Sequence, residues 1–214
     1  MTEDDDQEQS SFLWPDIPRI CFGPGEPWHL NANLDWVLGN NEVGTRAYSL
    51  GYLRAAEALF EHSTECSQLS PDYIIFPLAF LWRHYVELAL KEIIVLGREL
   101  AGELRPEFTT HHRLGELWEV AKPYVVEHGS PDAPELVNVE ANINELEKID
   151  PYATGFRYLL DRSQKKQGLS SPPAEVNLRV LQEAMLALGA FFERVNGCQS
   201  DVLDYARSSI DIAE

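Results

Sequence analysis

The chain has 214 residues, of which 44% are hydrophobic, and a formal net charge of −18. This length suits one domain with attached arms, and the apolar fraction is sufficient for a sizeable core. The acidic charge repels nucleic acid on average, so RNA or DNA would need a local basic patch. Cys21, Cys66 and Cys198 are widely spaced and odd in number, which favours free buried thiols over a disulfide framework or a zinc ribbon.

The N-terminal part of the chain predicts a tail and an arm. The run from Glu3 to Asp6, with Glu8, indicates that residues 1–10 are a disordered acidic tail. Residues 11–41 interleave prolines with aromatic and aliphatic side chains, which predicts an irregular arm that packs onto the body or onto a second copy. No signal peptide and no apolar run of about 20 residues occurs, so we expect a cytoplasmic protein without membrane contact.

Residues 42–214 are predicted to form a helical domain, because apolar residues recur there at helical spacing. The predicted helices are Thr45–His62, Asp72–Leu100, His112–Glu127, Pro134–Ile149, Ala174–Val195 and Ser200–Ile210. Short loops join them, and no alternating strand pattern is present. We therefore predict an all-α, up-and-down helical bundle.

Local signals refine three of these helices. Tyr48, at the start of an apolar series that continues through Tyr52, is expected to face the core from the first helix. Ser70 precedes Pro71 and marks the start of the second helix, in which Pro77 lies either in the first turn or at a kink. Gly197 is expected to cap the end of the fifth helix.

The second helix is apolar on most sides but carries one narrow charged stripe. Arg83, Glu87 and Lys91 follow each other at intervals of four residues, with His84 beside them. If the stripe is a solvated face, its i,i+4 ion pairs contribute about 0.2–0.5 kcal/mol each. If the stripe faces a partner helix or a cleft, its charges must be paired, and their burial indicates a site.

Two adjacent histidines, His111 and His112, stand at the start of the third helix, with Thr110 as the expected N-cap. Histidine titrates near neutral pH, and a helix N-terminus attracts anions. The purely structural alternative is that one histidine makes a contact between helices. Because the six histidines lack metal-ligand spacing, we expect neither a metal nor another cofactor.

A loop rich in aromatic residues, Asp150–Tyr158, follows the fourth helix. Arg157 lies between two aromatic residues and can bind a phosphate or a carboxylate. It can equally form a salt bridge with Glu87 or Asp150 and hold the loop against the bundle. We favour this second alternative.

Three segments stand out together and in order: RHYVELALK at 83–91, HHRLGELW at 111–118 and DPYATGFRY at 150–158. The ordered trio resembles uncharacterised bacterial proteins of the HEPN-like superfamily, and the resemblance covers residues 45–195. It implies a helical bundle that often dimerises. Many members are metal-independent ribonucleases of toxin–antitoxin or phage-defence systems, and others are inactive binding modules.

Active members of that superfamily carry an arginine, a polar residue and a histidine four to six residues after the arginine. Arg83 and His84 match the opening of this motif, but residues 88–90 are Leu, Ala and Leu, so the closing histidine is missing. Arg105 and His111 have the right spacing, but a proline replaces the polar residue. This departure favours an inactive member.

Two functional hypotheses follow. In the first, which we favour, the chain is a binding and interaction module of a bacterial defence or toxin–antitoxin type system, a homo-oligomer with a protein partner. In the second, it is a metal-independent ribonuclease or an RNA- or nucleotide-binding protein, which needs a base and a cation at the reacting phosphate. The candidate catalytic residues are His111, His112 and Arg83, and the candidate binding residues are His84, Glu87, Lys91, Arg157 and Tyr158.

Overall fold

The computed structural model describes residues 29, 32, 41–65, 70–104, 109–129, 131–160 and 168–211. The chain divides into two units, Met1–Asp35 and Trp36–Glu214. In the first unit the described residues are His29 and Ala32, and both are exposed. The predicted acidic tail, and the predicted arm apart from these two residues and Asn41, therefore lie outside the described residues.

Within the described ranges the second unit consists of five α-helices, with no β-strand. They are α1 (Asn41–Glu65), α2 (Pro71–Leu100), α3 (Leu114–Gly129), α4 (Ala133–Ile149) and α5 (Leu178–Asp211). The prediction of an all-α bundle is confirmed. No helix in this part of the chain combines the length and the apolar character that crossing a bilayer requires.

Short-range signals set the starts of α2 and α4. The Ser70 hydroxyl accepts a hydrogen bond from Asp72 N at 3.3 Å, and Pro71 occupies the first helical position, one residue before the predicted start at Asp72. At α4, Asp132 Oδ1 accepts from Glu135 N at 2.8 Å while Glu135 Oε2 accepts from Asp132 N at 3.2 Å. This reciprocal capping box satisfies backbone donors that a helix start otherwise leaves unpaired.

The start of α3 differs from the prediction. The helix begins at Leu114 rather than at His112, so Thr110 lies too far ahead to be its N-cap. A residue of α4 takes that role: Glu147 Oε2 accepts from Leu114 N at 2.7 Å, and Glu147 Oε1 accepts from Arg113 Nε at 3.1 Å. The positive end of the helix is therefore neutralised by a carboxylate from a neighbouring helix.

α2 is the central helix of the bundle and packs against α1, α3 and α5. Pro77 lies inside it. Full burial of a large apolar side chain contributes about 1.5–3 kcal/mol, so the core around α2 supplies much of the stabilisation. Its largest fully buried apolar side chains include Leu78, Trp82, Tyr85, Leu90 and Ile93 of α2, Trp118 of α3 and Phe192 of α5.

α1 turns a different face to the core from the one predicted. Leu53 and Ala56 are buried, whereas Tyr48 is 47% exposed and Tyr52 is only partly buried. The two tyrosines lie at the edge of the α1–α2 contact, where their rings meet side chains of α2. The buried face is one residue out of phase with the predicted apolar series, and this places two aromatic rings at its edge.

The two predicted C-terminal helices are one continuous helix, α5, and the prediction that Gly197 ends a helix is wrong. Asn196 and Gln199, on either side of this glycine, are buried. Packing against the core stabilises the helix across Gly197, although glycine has a low helix propensity. α5 also begins later than predicted, since the side-chain oxygen of Asn177 accepts from Arg179 N at 3.0 Å and caps the start.

The position of Gly197 predicts a gain in stability on substitution. A Cβ at this position meets no other atom within 4 Å, so Gly197→Ala should raise the free energy of unfolding by about 1 kcal/mol through helix propensity alone. The matched control is Gly97→Ala in α2, where the new Cβ collides with the Tyr124 ring and should lower stability. Urea denaturation measures both. A destabilised Gly197→Ala variant would contradict the continuous helix.

Candidate functional site

Arg83 of α2 lies where the three motif segments meet. Its side chain is 2% exposed, and all three of its nitrogens donate hydrogen bonds. Nη1 donates to Glu87 Oε2 at 3.2 Å, Nη2 to the carbonyl oxygen of His112 at 2.8 Å, and Nε to the carbonyl oxygen of Asp150 at 3.0 Å. One guanidinium therefore joins α2, the segment before α3 and the loop after α4.

Glu87 is the second centre of this network, and its side chain is 1% exposed. Its Oε1 accepts from Lys91 Nζ at 2.9 Å and from His112 Nδ1 at 2.7 Å. Burial opposes ionisation most strongly, but the hydrogen bonds from Lys91 and His112 outweigh it and lower the pKa of Glu87. The carboxylate is therefore ionised at neutral pH.

Both predicted i,i+4 pairs, Arg83–Glu87 and Glu87–Lys91, are present, at 3.2 and 2.9 Å. Of the two alternatives left open for the stripe, the solvated face is excluded, because all three residues are buried. An unpaired charge in this position would cost several kcal/mol, so pairing is a condition for the burial of α2. Asp150 completes the balance, since its Oδ2 lies 3.7 Å from Arg83 Nε.

Asp150 also organises the loop that follows α4. Its Oδ1 accepts from Thr154 N at 3.0 Å and from Gly155 N at 2.9 Å. A Cβ on Gly155 would lie 2.7 Å from the carbonyl oxygen of Gly168, so the close approach of the two backbones requires glycine. The loop is thus held by a carboxylate inside its turn and by a second backbone segment against it.

Arg157 makes neither of the two predicted salt bridges. Its Nε and Nη2 instead donate to the carbonyl oxygen of Ala153, at 2.9 and 2.7 Å. The guanidinium carbon lies 5.7 Å from the ring centre of Phe80 and 5.5 Å from that of Tyr158. The loop is held to α2 by Asp150 and Arg83, and Arg157 remains exposed between two aromatic rings.

His84 adjoins Arg83 in sequence but lies outside the buried network, among aromatic rings. It stacks on Phe80, with ring centres 5.7 Å apart and planes at 9°, and the Tyr52 ring meets it edge-on at 4.4 Å. Burial lowers the pKa of the His84 imidazole below its ordinary value, so the ring is neutral at physiological pH. No sequence motif identified Tyr48, Tyr52 or Phe80 as neighbours of His84. The available signals were the spacing of four residues from Phe80 to His84 on α2 and from Tyr48 to Tyr52 on α1.

The two adjacent histidines have different environments. His112 donates from Nδ1 to buried Glu87, yet its side chain is 59% exposed, so the opposite edge of the ring reaches solvent. His111 Nδ1 makes no hydrogen bond to the described residues and lies 3.9 Å from Glu116 Oε2. Only His112 belongs to the network.

A second, partly buried charge cluster, which no sequence motif indicated, joins α1, α2 and α5. Arg46 lies 3.6 Å from Glu92 and 2.9 Å from Glu193, and the Ser49 hydroxyl donates to Glu92 at 3.4 Å. Burial raises the pKa of Glu92 to about 7, with the nearby Glu193 acting in the same direction. This carboxyl titrates near neutral pH.

Among the described residues, no group of three or more His, Cys, Asp or Glu side chains is placed to hold a metal ion. Comparison of the chain with protein-family models, curated proteins and solved structures gives no match. Any functional inference therefore depends on the geometry of the buried network and of the exposed groups around it.

Removal of the Arg83 guanidinium should destabilise the bundle strongly. Arg83→Met leaves buried Asp150 without its cation and removes one of the two permanent cations beside buried Glu87, and a change of this kind costs about 3–5 kcal/mol. The control is Arg113→Met, which breaks exposed pairs with Glu116 and Glu147 and should change stability little. Chemical denaturation followed by circular dichroism measures the difference. Equal effects of the two substitutions would contradict the central role of Arg83.

Glu92 should make stability depend on pH. Its pKa is about 7 in the folded protein, above the ordinary 4.5. Between these two values the folded protein holds a proton on Glu92 that the unfolded chain has lost, so the stability of the fold falls as the pH rises through that window. The difference in unfolding free energy between wild type and Glu92→Gln should therefore change by about 3 kcal/mol between about pH 4.5 and 8. Urea denaturation at several pH values measures it, and a constant difference would contradict the raised pKa.

Proposed function

We propose that this chain is a HEPN-like helical binding module, a homo-oligomer that acts in the bacterial cytoplasm in a defence or toxin–antitoxin type system. One observation favours this proposal over a nuclease: Arg83, the arginine that matches the superfamily motif, is buried, and all three of its nitrogens donate hydrogen bonds inside the protein. An arginine that stabilises a developing phosphorane charge must reach the substrate. In this chain Arg83 instead joins α2 to the segment before α3 and the loop after α4.

The convergence of the motif segments supports the likeness to that superfamily. Arg83 and Asp150 are 67 residues apart in sequence, and Arg83 and His112 are 29 apart, yet each pair is in direct contact. Three patterns that are individually weak thus form one spatial unit. The cellular setting follows from the resemblance alone.

A ribonuclease is the second candidate function, and the contact between Glu87 and His112 favours it. A carboxylate on Nδ1 orients an imidazole and fixes its tautomer, which is the arrangement of a general base with its positioning group. The exposed edge of His112 is open to a substrate. The cation that such a site also needs would come from Arg157 or from a second copy of the chain.

The two candidates differ in whether the folded protein cleaves RNA without a metal. We expect no cleavage of total or transfer RNA by wild type in EDTA, measured by gel electrophoresis after prolonged incubation. His112→Ala and His111→Ala are matched variants, since only His112 contacts Glu87. Cleavage by wild type that falls about 100-fold or more in His112→Ala, but persists in His111→Ala, would replace the binding module with a nuclease.

A positive test identifies the partner. The tagged chain is expressed in the organism that encodes it and purified after cross-linking. Mass spectrometry identifies the bound proteins, sequencing identifies the bound RNA, and sedimentation equilibrium gives the oligomeric state. A binding module should retain one dominant partner or assemble with itself. Monomeric, folded protein that retains nothing would contradict the proposal.

A further inference from the structure

A cavity of about 310 Å³ opens where the end of α1, the start of α2 and the start of α5 meet. Ligand pockets occupy about 300–1,000 Å³, so a cavity at the lower end of this range holds one or two side chains. Its described lining includes none of the candidate catalytic or binding residues named from the sequence. The lining includes Phe60, Ser63 and Thr64 of α1, Pro71 of α2, and Leu178 and Arg179 of α5.

The walls of the cavity are apolar on two sides. Phe60 and Leu178 are partly buried and pack against the core of the bundle. Val176, which precedes α5 and also lines the cavity, is 42% exposed. An apolar group that enters the cavity removes this surface from water, which favours binding.

Two hydroxyl groups of α1 line the cavity with their protons already in use. Ser63 Oγ donates to the carbonyl oxygen of Phe60 at 2.7 Å, and Thr64 Oγ1 donates to that of Glu61 at 2.8 Å. A hydroxyl oxygen that donates its proton still has lone pairs that accept hydrogen bonds. The two oxygens are therefore acceptors for N–H groups of a ligand.

Arg179 brings a positive charge to the lining of the cavity. Its side chain is exposed and makes no hydrogen bond or ion pair with the described residues, although its backbone N donates to the Asn177 side chain at 3.0 Å. Every other described arginine except Arg157 has a carboxylate within 4.0 Å. In a chain with 35 acidic residues, an arginine at a cavity that pairs with none of the described carboxylates favours an anionic group on the ligand.

Four exposed carboxylates adjoin the cavity, each next in sequence to a residue that lines it. They are Glu61 and Glu65 of α1, Asp72 of α2 and Glu175 before α5. Within the described ranges, none of the four forms an ion pair with a lysine or an arginine. Glu61 and Glu65 are four residues apart and so lie along one edge of α1. Neighbouring charges of one sign attract a ligand of the opposite sign, so the rim favours cationic groups.

We propose that this cavity binds the C-terminal end of a partner protein whose last residue is apolar and follows a run of lysine or arginine residues. The apolar side chain enters the cavity, and the terminal carboxylate pairs with Arg179. The basic side chains lie against the four carboxylates of the rim, and the Ser63 and Thr64 oxygens accept from backbone N–H groups. The inference rests on the proposed binding module and names the chemistry of its partner.

The arrangement of charge separates this partner from other ligands. A free fatty acid carries the apolar group and the carboxylate, but it has no cation for the acidic rim. An internal basic segment of a protein leaves Arg179 without an anion. Nucleic acid is repelled by the rim. A basic chain end with an apolar last residue satisfies the cavity, the arginine and the rim together.

Fluorescence anisotropy of the full chain with a labelled hexapeptide tests the inference. The peptide is Ser-Lys-Arg-Lys-Ser-Leu, with the label at its N-terminus and a free carboxyl group at its C-terminus. Three matched peptides carry a C-terminal amide, serine in place of the leucine, or glutamine in place of the three basic residues. Each lacks one of the three contacts and should bind about tenfold more weakly. Added salt should weaken binding of the first peptide, because the rim is exposed.

Variants of exposed residues then locate the binding. Arg179→Met should bind the free-carboxyl peptide about tenfold more weakly and should no longer distinguish it from the amide. Glu61→Gln/Glu65→Gln should weaken binding and reduce its dependence on salt. The matched controls, which should bind as wild type does, are Arg194→Met of α5 and Glu119→Gln/Glu145→Gln of α3 and α4.

Four results overturn the inference. Folded wild type does not bind the free-carboxyl peptide at about 1 mM, or it binds the peptide and the amide equally well. Binding is unchanged in Arg179→Met. Decanoate displaces the labelled peptide with the affinity of the unlabelled peptide, which assigns the cavity to free carboxylic acids.

The failure of this inference is distinguishable from that of the proposed function. All four results leave the binding module intact, because the recovery of a partner from the host is an independent measurement. Conversely, RNA cleavage that depends on His112 would refute the binding module, while the peptide titration would still measure the cavity.

Discussion

A guanidinium cannot be removed from water unless its N–H groups find acceptors and its charge finds an anion. Arg83 meets this constraint at the centre of the bundle, where α2 is surrounded by other helices. The acceptors are the Glu87 side chain and two backbone carbonyls, those of His112 and Asp150. Two backbone segments are therefore fixed in position because α2, which carries the charge, is buried.

The exposed groups depend on this buried contact in turn. Asp150 uses its carbonyl for Arg83 and its carboxylate for the loop backbone, so the position of Arg157 follows from that of Arg83. His112 gives its carbonyl to Arg83 and its Nδ1 to Glu87, which leaves the other edge of its ring exposed. The buried network therefore positions both exposed groups, the outer edge of the His112 ring and the Arg157 guanidinium.

Much of the bundle could be predicted from sequence, because helix periodicity and the Ser70 cap are local properties. The i,i+4 pairs along α2 were predictable for the same reason, but their burial was not, since it depends on residues 29 and 67 positions away. The acceptor for Arg157 is a carbonyl, and a carbonyl has no sequence signature. The prediction that Gly197 ends a helix is wrong because core packing outweighs the low helix propensity of one residue.

The distance in sequence between Arg83 and Asp150 has a consequence for synthesis of the chain. A ribosome that adds about 5–20 residues per second needs roughly 3–13 seconds to reach Asp150 after Arg83, which lies 67 residues earlier. During that interval α2, the most apolar of the five described helices, carries an arginine that still lacks its acceptor at Asp150. Native docking of α2 must therefore wait until the nascent chain has passed α4, and a product truncated before that point leaves this helix for chaperones to cover.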